Sequence, residues 1–448
     1  MRQARIDTLA ACGESCRMHD FHFAGGRLWC GSVDLARIAR EVGTPCFVYS
    51  AEALRSNFRR MDSALAELED RLICYAVKAN SNLAVLDVLR RAGSGFDIVS
   101  GGELYRVLRA GGRAANCTFA GVGKSAAEIA LALREGVYCI NVESEAELDR
   151  IGQIAAREGV QAPVAVRVNP DVDAGTHEFI STGRSKNKFG IGLDRAREVY
   201  ARAAACPHLK LRGVQTHIGS QITSPEPFAE ALEKLIPLVA ELRDKYGIEF
   251  FSIGGGVGIA YENALASGNE AWWSERKNAL TPEVYARTVV GPLSQLGLRI
   301  LFEPGRSLCG NAGVLLTTVE YVKRTPAKTF AIVDAAMTEL IRPALYDGYH
   351  EIVPLEARQG SETVDVVGPV CESGDFLAKG RDLPPLKEGD QLAVMSAGAY
   401  GAVMGSNYNA RPLAAEVLVE GGGFHIVRKR QTLAEMLAGE RVPDYSSS

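Results

Sequence analysis

The chain has 448 residues, a length that suits about two or three domains, or one barrel of roughly 200–250 residues with a smaller companion. Apolar residues make up 47% and charged residues 23%, which excludes collagen-like, coiled-coil, disordered and membrane-spanning architectures. The 50 Lys and Arg against 54 Asp and Glu leave a net charge of −4, so nothing in the charge points to a nucleic acid or an anionic membrane surface as partner.

Residues 1–18 read as a variable leader, because they contain no apolar core long enough for a signal peptide. Of the 10 cysteines only Cys12 and Cys16 are close, and no second Cys or His pair matches them. No metal site is expected, and the cysteines read as small buried residues of a reducing, cytoplasmic compartment. Between Phe21 and Ser50, FHFAGGRLWC and TPCFVYS have strand character, and the first is expected to join a β region at the far end of the chain.

The middle of the chain alternates two patterns. Short β-branched runs lie at 72–80, 95–102, 116–121, 138–144, 162–170, 211–220, 249–256 and 298–305. Between them, helical spacing of apolar residues marks 82–91, 103–110, 125–135, 144–157, 193–205, 227–246 and 281–296, with capping residues at Ser125, Ser144 and Thr281. Strands that alternate with helices form a parallel sheet, and eight such units close into a TIM-type (β/α)8 barrel, with a doubly wound open sheet as the alternative. After Arg306 the strand-like segments 314–322, 329–333, 363–370, 391–395 and 414–419 follow one another with little helix, which predicts a second, all-β domain of sandwich or barrel type. The expected division is 47–308 for the barrel and 19–46 plus 309–448 for the β domain, ending in a disordered PDYSSS.

Functional residues of such a barrel sit at the C-terminal ends of its strands. Lys78 ends the first run, Asp97 and Ser100-Gly101-Gly102 the second, His217, Gly219 and Ser220 the sixth, Gly254-Gly255-Gly256 the seventh, and Glu303, Gly305 and Arg306 the eighth. A lysine at a strand end is usually solvated. One that follows the apolar Cys74-Tyr75-Ala76-Val77 is expected to lose its charge easily and to form a Schiff base. Three glycines after a strand make a tight turn or offer consecutive N–H groups to an anion, and strands seven and eight often build a phosphate site. A reactive lysine opposite a phosphate site suggests pyridoxal phosphate. Glu303 is then a candidate partner for the pyridine nitrogen, and His217 is either a core histidine or a stacking partner for the ring. Cys371-Glu372-Ser373-Gly374-Asp375 and Gly398-Ala399-Tyr400-Gly401 form a second polar cluster. In LIRPALYDGYH, Arg342 and Tyr346 could clamp a substrate carboxylate, with a surface salt bridge the plainer expectation for Arg342.

Taken together, YAVKAN around Lys78, FDIVSGGE, NKFGI at 187–191, HIGSQ at 217–221, GGGVGI, EPGR, CESGD and GAYG resemble the group IV pyridoxal-phosphate decarboxylases of the alanine-racemase-like fold. The resemblance runs from about Phe21 to Leu437. Within the group, LIRPALYDGYH and CESGD are most similar to the diaminopimelate decarboxylases. Ornithine decarboxylases carry Asp where Glu372 follows Cys371, and alanine racemases carry Arg where Glu303 stands. Gly348 departs from the usual Ala, and the stretch 264–280, with Trp272 and Trp273, does not align.

The resemblance implies pyridoxal 5'-phosphate bound covalently to Lys78, with Ser220, Gly255, Gly256, Gly305, Arg306 and Tyr400 around its phosphate, His217 on its ring and Glu303 at its nitrogen. It implies Cys371, from the partner subunit of a homodimer, as the acid that protonates the α-carbon, a role that suits a thiol. It also implies that Arg306, Arg342 and Tyr346 bind the distal carboxylate of meso-diaminopimelate and Glu372 its distal ammonium, with Tyr400 reaching phosphate and substrate. The expected reaction is decarboxylation at the D-centre to L-lysine and CO2, the last step of lysine biosynthesis. The alternatives are an ornithine, arginine or carboxynorspermidine decarboxylase and a non-catalytic regulatory homologue, against which Lys78 and Cys371 are both present.

Overall fold

The structure is a computed structural model that describes residues 20–173, 188–276 and 279–444. The leader with Cys12 and Cys16, Asn187 of NKFGI, part of the 264–280 stretch and the residues from Tyr445 onward lie outside the described residues. Parallel strands follow one another as Arg71–Ala76, Gly95–Ile98, Cys117–Phe119, Cys139–Val142, Ala162–Asn169, Leu209–Gln215, Phe250–Ser252 and Arg299–Phe302. Each pairs with its neighbour in chain order, and the last pairs back onto the first, with Ile300 opposite Arg71 and Phe302 opposite Ile73. The sheet is therefore the closed (β/α)8 barrel. Its strands are apolar on both faces, as in Val164, Ala165, Val166 and Val168, all fully buried, because a barrel strand faces packed side chains inside and helices outside.

The intervening helices start where the sequence supplies caps. Asn82, Ser100, Ser125, Ser144 and Thr281 each accept a backbone N–H of the first turn. Ser125 and Glu128 complete a capping box, and Gly136 ends that helix at a φ of 72°.

The second, β-rich unit is organised on the long strand Gly313–Arg324, which pairs antiparallel with Thr329–Val333, Gln391–Val394 and Cys46–Ser50. Glu362–Val367 and Ala415–Glu420 extend the sheet. The strands Ile352–Pro354, Phe376–Leu383 and Gly423–Arg428 and the short helix Arg342–Tyr346 are additions that the sequence pattern did not single out. The N-terminal contribution also differs from the expectation. FHFA and RLWC form a separate three-stranded sheet with Val33–Asp34, tied to the C-terminal region by Leu28 N–H to Leu355 O at 2.9 Å and Ala357 N–H to Gly26 O at 2.7 Å. The N-terminal strand inside the large sheet is Cys46–Ser50, whose residues are all buried and whose apolar run demands neighbours on both sides. We propose that the barrel unit starts after it, at the helix Ala51–Ala64.

The two units meet at a point with no room for a side chain. A Cβ on Gly398 would lie 1.9 Å from Cys309 O and 2.8 Å from Gly313 N. Asn80 Nδ2 donates to Gly398 O at 3.0 Å, and Tyr400 N–H donates to Ala79 O at 2.8 Å. These bonds fasten the GAYG loop to the end of the first barrel strand. Gly398→Ala should therefore separate the loop from Asn80 and cost about 1–3 kcal/mol of stability through overpacking. Thermal unfolding of the variant beside wild type measures this, and an unchanged melting temperature would refute the tight junction.

Candidate active site

Lys78 lies in the single helical turn Val77–Ala79 that ends the first barrel strand. Its Nζ donates to Asp97 Oδ2 at 3.1 Å, while its side chain stays about 38% exposed and so opens toward the mouth of the barrel. Asp97, at the end of the second strand, is buried, and its Oδ1 has no hydrogen-bond partner among the described residues. Glu303 ends the eighth strand. Ser252 Oγ donates to one of its oxygens at 2.6 Å and Gln215 Nε2 to the other at 2.9 Å. Burial, and then the charge of Asp97, push the Glu303 carboxyl up to about 7.

These acids correct the expectation for Lys78. Burial pulls the amine down, but Asp97, Tyr400 and Glu303 outweigh it and hold the lysine above its ordinary range. Lys78 therefore keeps its proton in the cofactor-free chain. The apolar strand is local to Lys78, whereas Asp97 and Glu303 reach it only through closure of the barrel.

The glycine-rich end of the seventh strand is shaped by close approach. A Cβ on Gly255 would lie 2.2 Å from Glu303 O, and one on Gly256, at a φ of +107°, would lie 2.5 Å from Gly219 O. The Gly255 N–H has a partner within the chain. It donates to His217 Nδ1 at 3.1 Å and so sets the ring's orientation. Burial, helped by the charges of Arg167 and Lys78, holds His217 well below its ordinary range, so the imidazole is neutral. Arg167 reaches the His217 carbonyl at 3.3 Å and pairs with Glu143 at 2.9 Å. Gly305 packs against Ala79 and Ala76, at 3.0 and 3.1 Å from where its Cβ would stand, and precedes Arg306 on a short helix.

Arg306 Nη2 donates to Ser220 Oγ at 3.0 Å, and its Nη1 donates to the Tyr261 phenol. Its guanidinium lies 4.7 Å from the centroid of the Tyr400 ring. Arg342 lies 4.4 Å from the centroid of the Tyr261 ring and is only 6% exposed, which removes the surface salt bridge as its role. Its guanidinium Nη1 donates to His350, at 2.7 Å. Neither arginine pairs with a carboxylate of the described residues. Tyr346 is half-buried on the same short helix as Arg342.

The chain thus gathers Lys78, His217, Ser220, Gly255, Gly256, Glu303, Gly305, Arg306, Arg342 and Tyr400 at one end of the barrel. Cys371 and Glu372 stand apart on an exposed loop. Asp97, Gln215, Ser252, Tyr261 and His350 also belong to the site, without a role assigned from the sequence. Asp97 and His350 stand inside quoted motifs, FDIVSGGE and LIRPALYDGYH, and their positions were the available signal; Gln215, Ser252 and Tyr261 carried none.

The residues present suit a phosphorylated pyridine aldehyde. A half-open lysine could meet the aldehyde, a buried carboxyl with both oxygens held could face a ring nitrogen, and Arg306 beside Ser220 has a buried Nε without a partner among the described residues. The description of the matching family model is the pyridoxal binding domain of pyridoxal-dependent decarboxylases, over residues 52–310. The diaminopimelate decarboxylase of Pseudomonas aeruginosa is 52% identical, over 94% of this chain and 99% of the relative, and that of Vibrio cholerae is 49% identical, over 93% and 97%. Among solved structures, diaminopimelate decarboxylase from Helicobacter pylori complexed with L-lysine is 38% identical with a TM-score of 0.84, covering 90% of this chain and 98% of that one. The enzyme from M. jannaschii, in co-complex with L-lysine, is 34% identical with a TM-score of 0.87 over 94% and 98%. With half of its residues shared across nearly its whole length, this chain belongs to the diaminopimelate decarboxylase family of pyridoxal-dependent decarboxylases.

Proposed function

We propose that the chain decarboxylates meso-2,6-diaminopimelate at its D-centre, with pyridoxal phosphate as cofactor, and releases CO2 and L-lysine in the last step of lysine biosynthesis. The observation that carries the substrate is the pair of buried guanidiniums, Arg306 and Arg342, that no carboxylate of the described residues neutralises. They lie beside a lysine flanked by two buried acids, and a substrate with a carboxylate at each end suits both halves of the site.

The cofactor supplies an electron sink for the pair of electrons left on the α-carbon when CO2 departs. Lys78 would carry it covalently, with Asp97 positioned to accept the proton that Lys78 must give up. Ser220, Gly256, Gly305, Arg306 and Tyr400 would hold the phosphate, and Gly255 would act through His217, whose ring its N–H orients. Glu303 would hold the ring nitrogen of the bound cofactor in its protonated form. Its raised pKa means that it gains from a neighbouring cation, and Ser252 and Gln215 hold it for that partner. Arg306, Arg342 and Tyr346 bind the distal carboxylate, and Glu372 binds the distal ammonium. Cys371 returns a proton to the α-carbon. Its exposure in the single chain, with Glu372, supports a site completed by the partner subunit of a homodimer. No helix of the described residues is long and apolar enough to cross a membrane, and a cytoplasmic location fits the ordinary composition.

A substrate panel tests the reading. Wild-type holoenzyme should turn over meso-diaminopimelate and leave ornithine and arginine nearly untouched. Arg342→Ala should lower kcat/KM about ten- to a thousand-fold, the effect of removing one partner of a buried charged contact, without altering the cofactor absorbance. Preference for ornithine would overturn the substrate and spare the cofactor.

Mixing Lys78→Ala chains with Cys371→Ala chains should recover part of the lost activity, since one site of the mixed dimer keeps both residues. Assay of the mixture against each variant alone measures this, and no recovery in a demonstrated mixed dimer would refute the shared site.

Glu303 gives a pH dependence. Its folded pKa of about 7 lies above the ordinary 4.5, so the folded chain holds that proton more tightly than the unfolded chain. The stabilising contribution is complete below the ordinary value and is lost as pH rises through the folded one. Cofactor-free wild type should therefore lose more melting temperature between about pH 5 and 8 than cofactor-free Glu303→Gln. Equal slopes in calorimetry would show that Glu303 is not held as described.

A further inference from the structure

His350 closes the LIRPALYDGYH segment and is fully buried. Its Nε2 lies 2.7 Å from Arg342 Nη1, and its Nδ1 lies 2.8 Å from Met395 O. A guanidinium N–H only donates, so Nε2 accepts. The neutral imidazole then carries its proton on Nδ1, where Met395 O accepts it. Two partners thus determine the tautomer, and the imidazole becomes a rigid acceptor aimed at Arg342. The Tyr261 ring meets His350 edge-on, with centroids 5.0 Å apart at 76°, and carries Arg342 on its face while its phenol accepts from Arg306.

The choice of acceptor matters more than the bond. A buried arginine is ordinarily held by a carboxylate, which orients it and cancels its charge together. Here a neutral ring orients Arg342 and leaves its charge intact, with Arg306 sharing the same tyrosine. Burial, and then the charge of Arg342, hold His350 at about 3, so it stays neutral at any working pH. The result is a doubly cationic recess with no counter-ion among the described residues, open to the carboxylate of a ligand.

We propose that His350 is a positioning residue that sets specificity: it aims the Arg342 guanidinium without neutralising it, so the pocket selects ligands whose far end carries a carboxylate over diamines. The inference rests on the reading of Arg342 as the group that binds the distal carboxylate. L-Lysine keeps that carboxylate, and cadaverine is the same skeleton without it.

The test is calorimetric binding of L-lysine and of cadaverine to holoenzyme carrying His350→Gln, His350→Leu or His350→Glu, with circular dichroism and cofactor absorbance recorded for each. Glutamine accepts from Arg342 through its oxygen and donates to Met395 O through its amide, so its L-lysine affinity should stay within about threefold of wild type. Leucine removes the acceptor and should weaken L-lysine about ten- to a hundred-fold, the scale of one hydrogen bond to a charged group, with cadaverine unchanged. Glutamate restores an acceptor but cancels the charge, and should weaken L-lysine at least as much as leucine. A leucine or glutamate variant that keeps the wild-type ratio of the two affinities, or that loses both ligands equally, overturns the proposal. If His350→Leu fails to fold, the glutamine and glutamate pair decides, and equal behaviour of those two overturns it. Arg342→Ala separates the two levels. If that change leaves L-lysine binding intact, the substrate reading fails; if it abolishes binding while the His350 variants do not, only the role of His350 fails.

Discussion

The site depends on closure of the barrel between its first and last strands. Phe302 pairs with Ile73, and the Ala76 N–H donates to Pro304 O at 3.0 Å. Those contacts set Glu303 beside Lys78, residues far apart in the chain, and the pairing of Ala76 with Asp97 on the next strand brings the second acid. Two buried carboxylates so close would repel one another in a low-dielectric interior. Lys78 bonds to Asp97 and keeps its charge, and burial, with the Asp97 charge added, leaves Glu303 with a raised pKa. The acid pair and the lysine are thus a single electrostatic unit, made by topology.

A second pole of opposite sign faces the first. Arg306 and Arg342 are buried without carboxylate partners among the described residues, and the ring of Tyr261 stands against both guanidiniums. Tyr400 lies between the poles. Its ring lies under Arg306, and the Arg306 and Lys78 charges both act on its phenol. It is held there by a backbone bond to Ala79 and by the glycine junction at Gly398 that lets the β unit sit directly on the barrel rim. A substrate with an amino acid group at either end has counterparts for its charges in such a bipolar site.

The Cys371 loop is built differently. It is exposed, yet its shape is set within the chain: Asp375 accepts from Val370 N–H at 2.7 Å and from Met337 N–H at 2.6 Å. The segment that follows Met337 leads into the Arg342 helix. A loop so firmly shaped but turned to solvent is suited to docking on another subunit, which is the arrangement proposed for the proton donor.

The sequence by itself determined the barrel, because alternation of β-branched runs with capped helices is a local signal, and Ser125 with Glu128 or Ser144 needs only its own neighbours. It also determined the residue types that crown the strands, since YAVKAN, GGG and EPGR are contiguous. What only the tertiary structure decided were the properties that depend on neighbours distant in the chain. Lys78 keeps its proton because Asp97 and Glu303 come from other strands. Gly255 holds the His217 ring because the sixth and seventh strands lie side by side. Cys46–Ser50 belongs to the large sheet because Gly313–Arg324 and Ala415–Glu420 flank it, and Arg342 is buried because Tyr261 and His350 fold over it. Charge state, burial and pairing are sums over spatial neighbours, and no local pattern along a chain contains those sums.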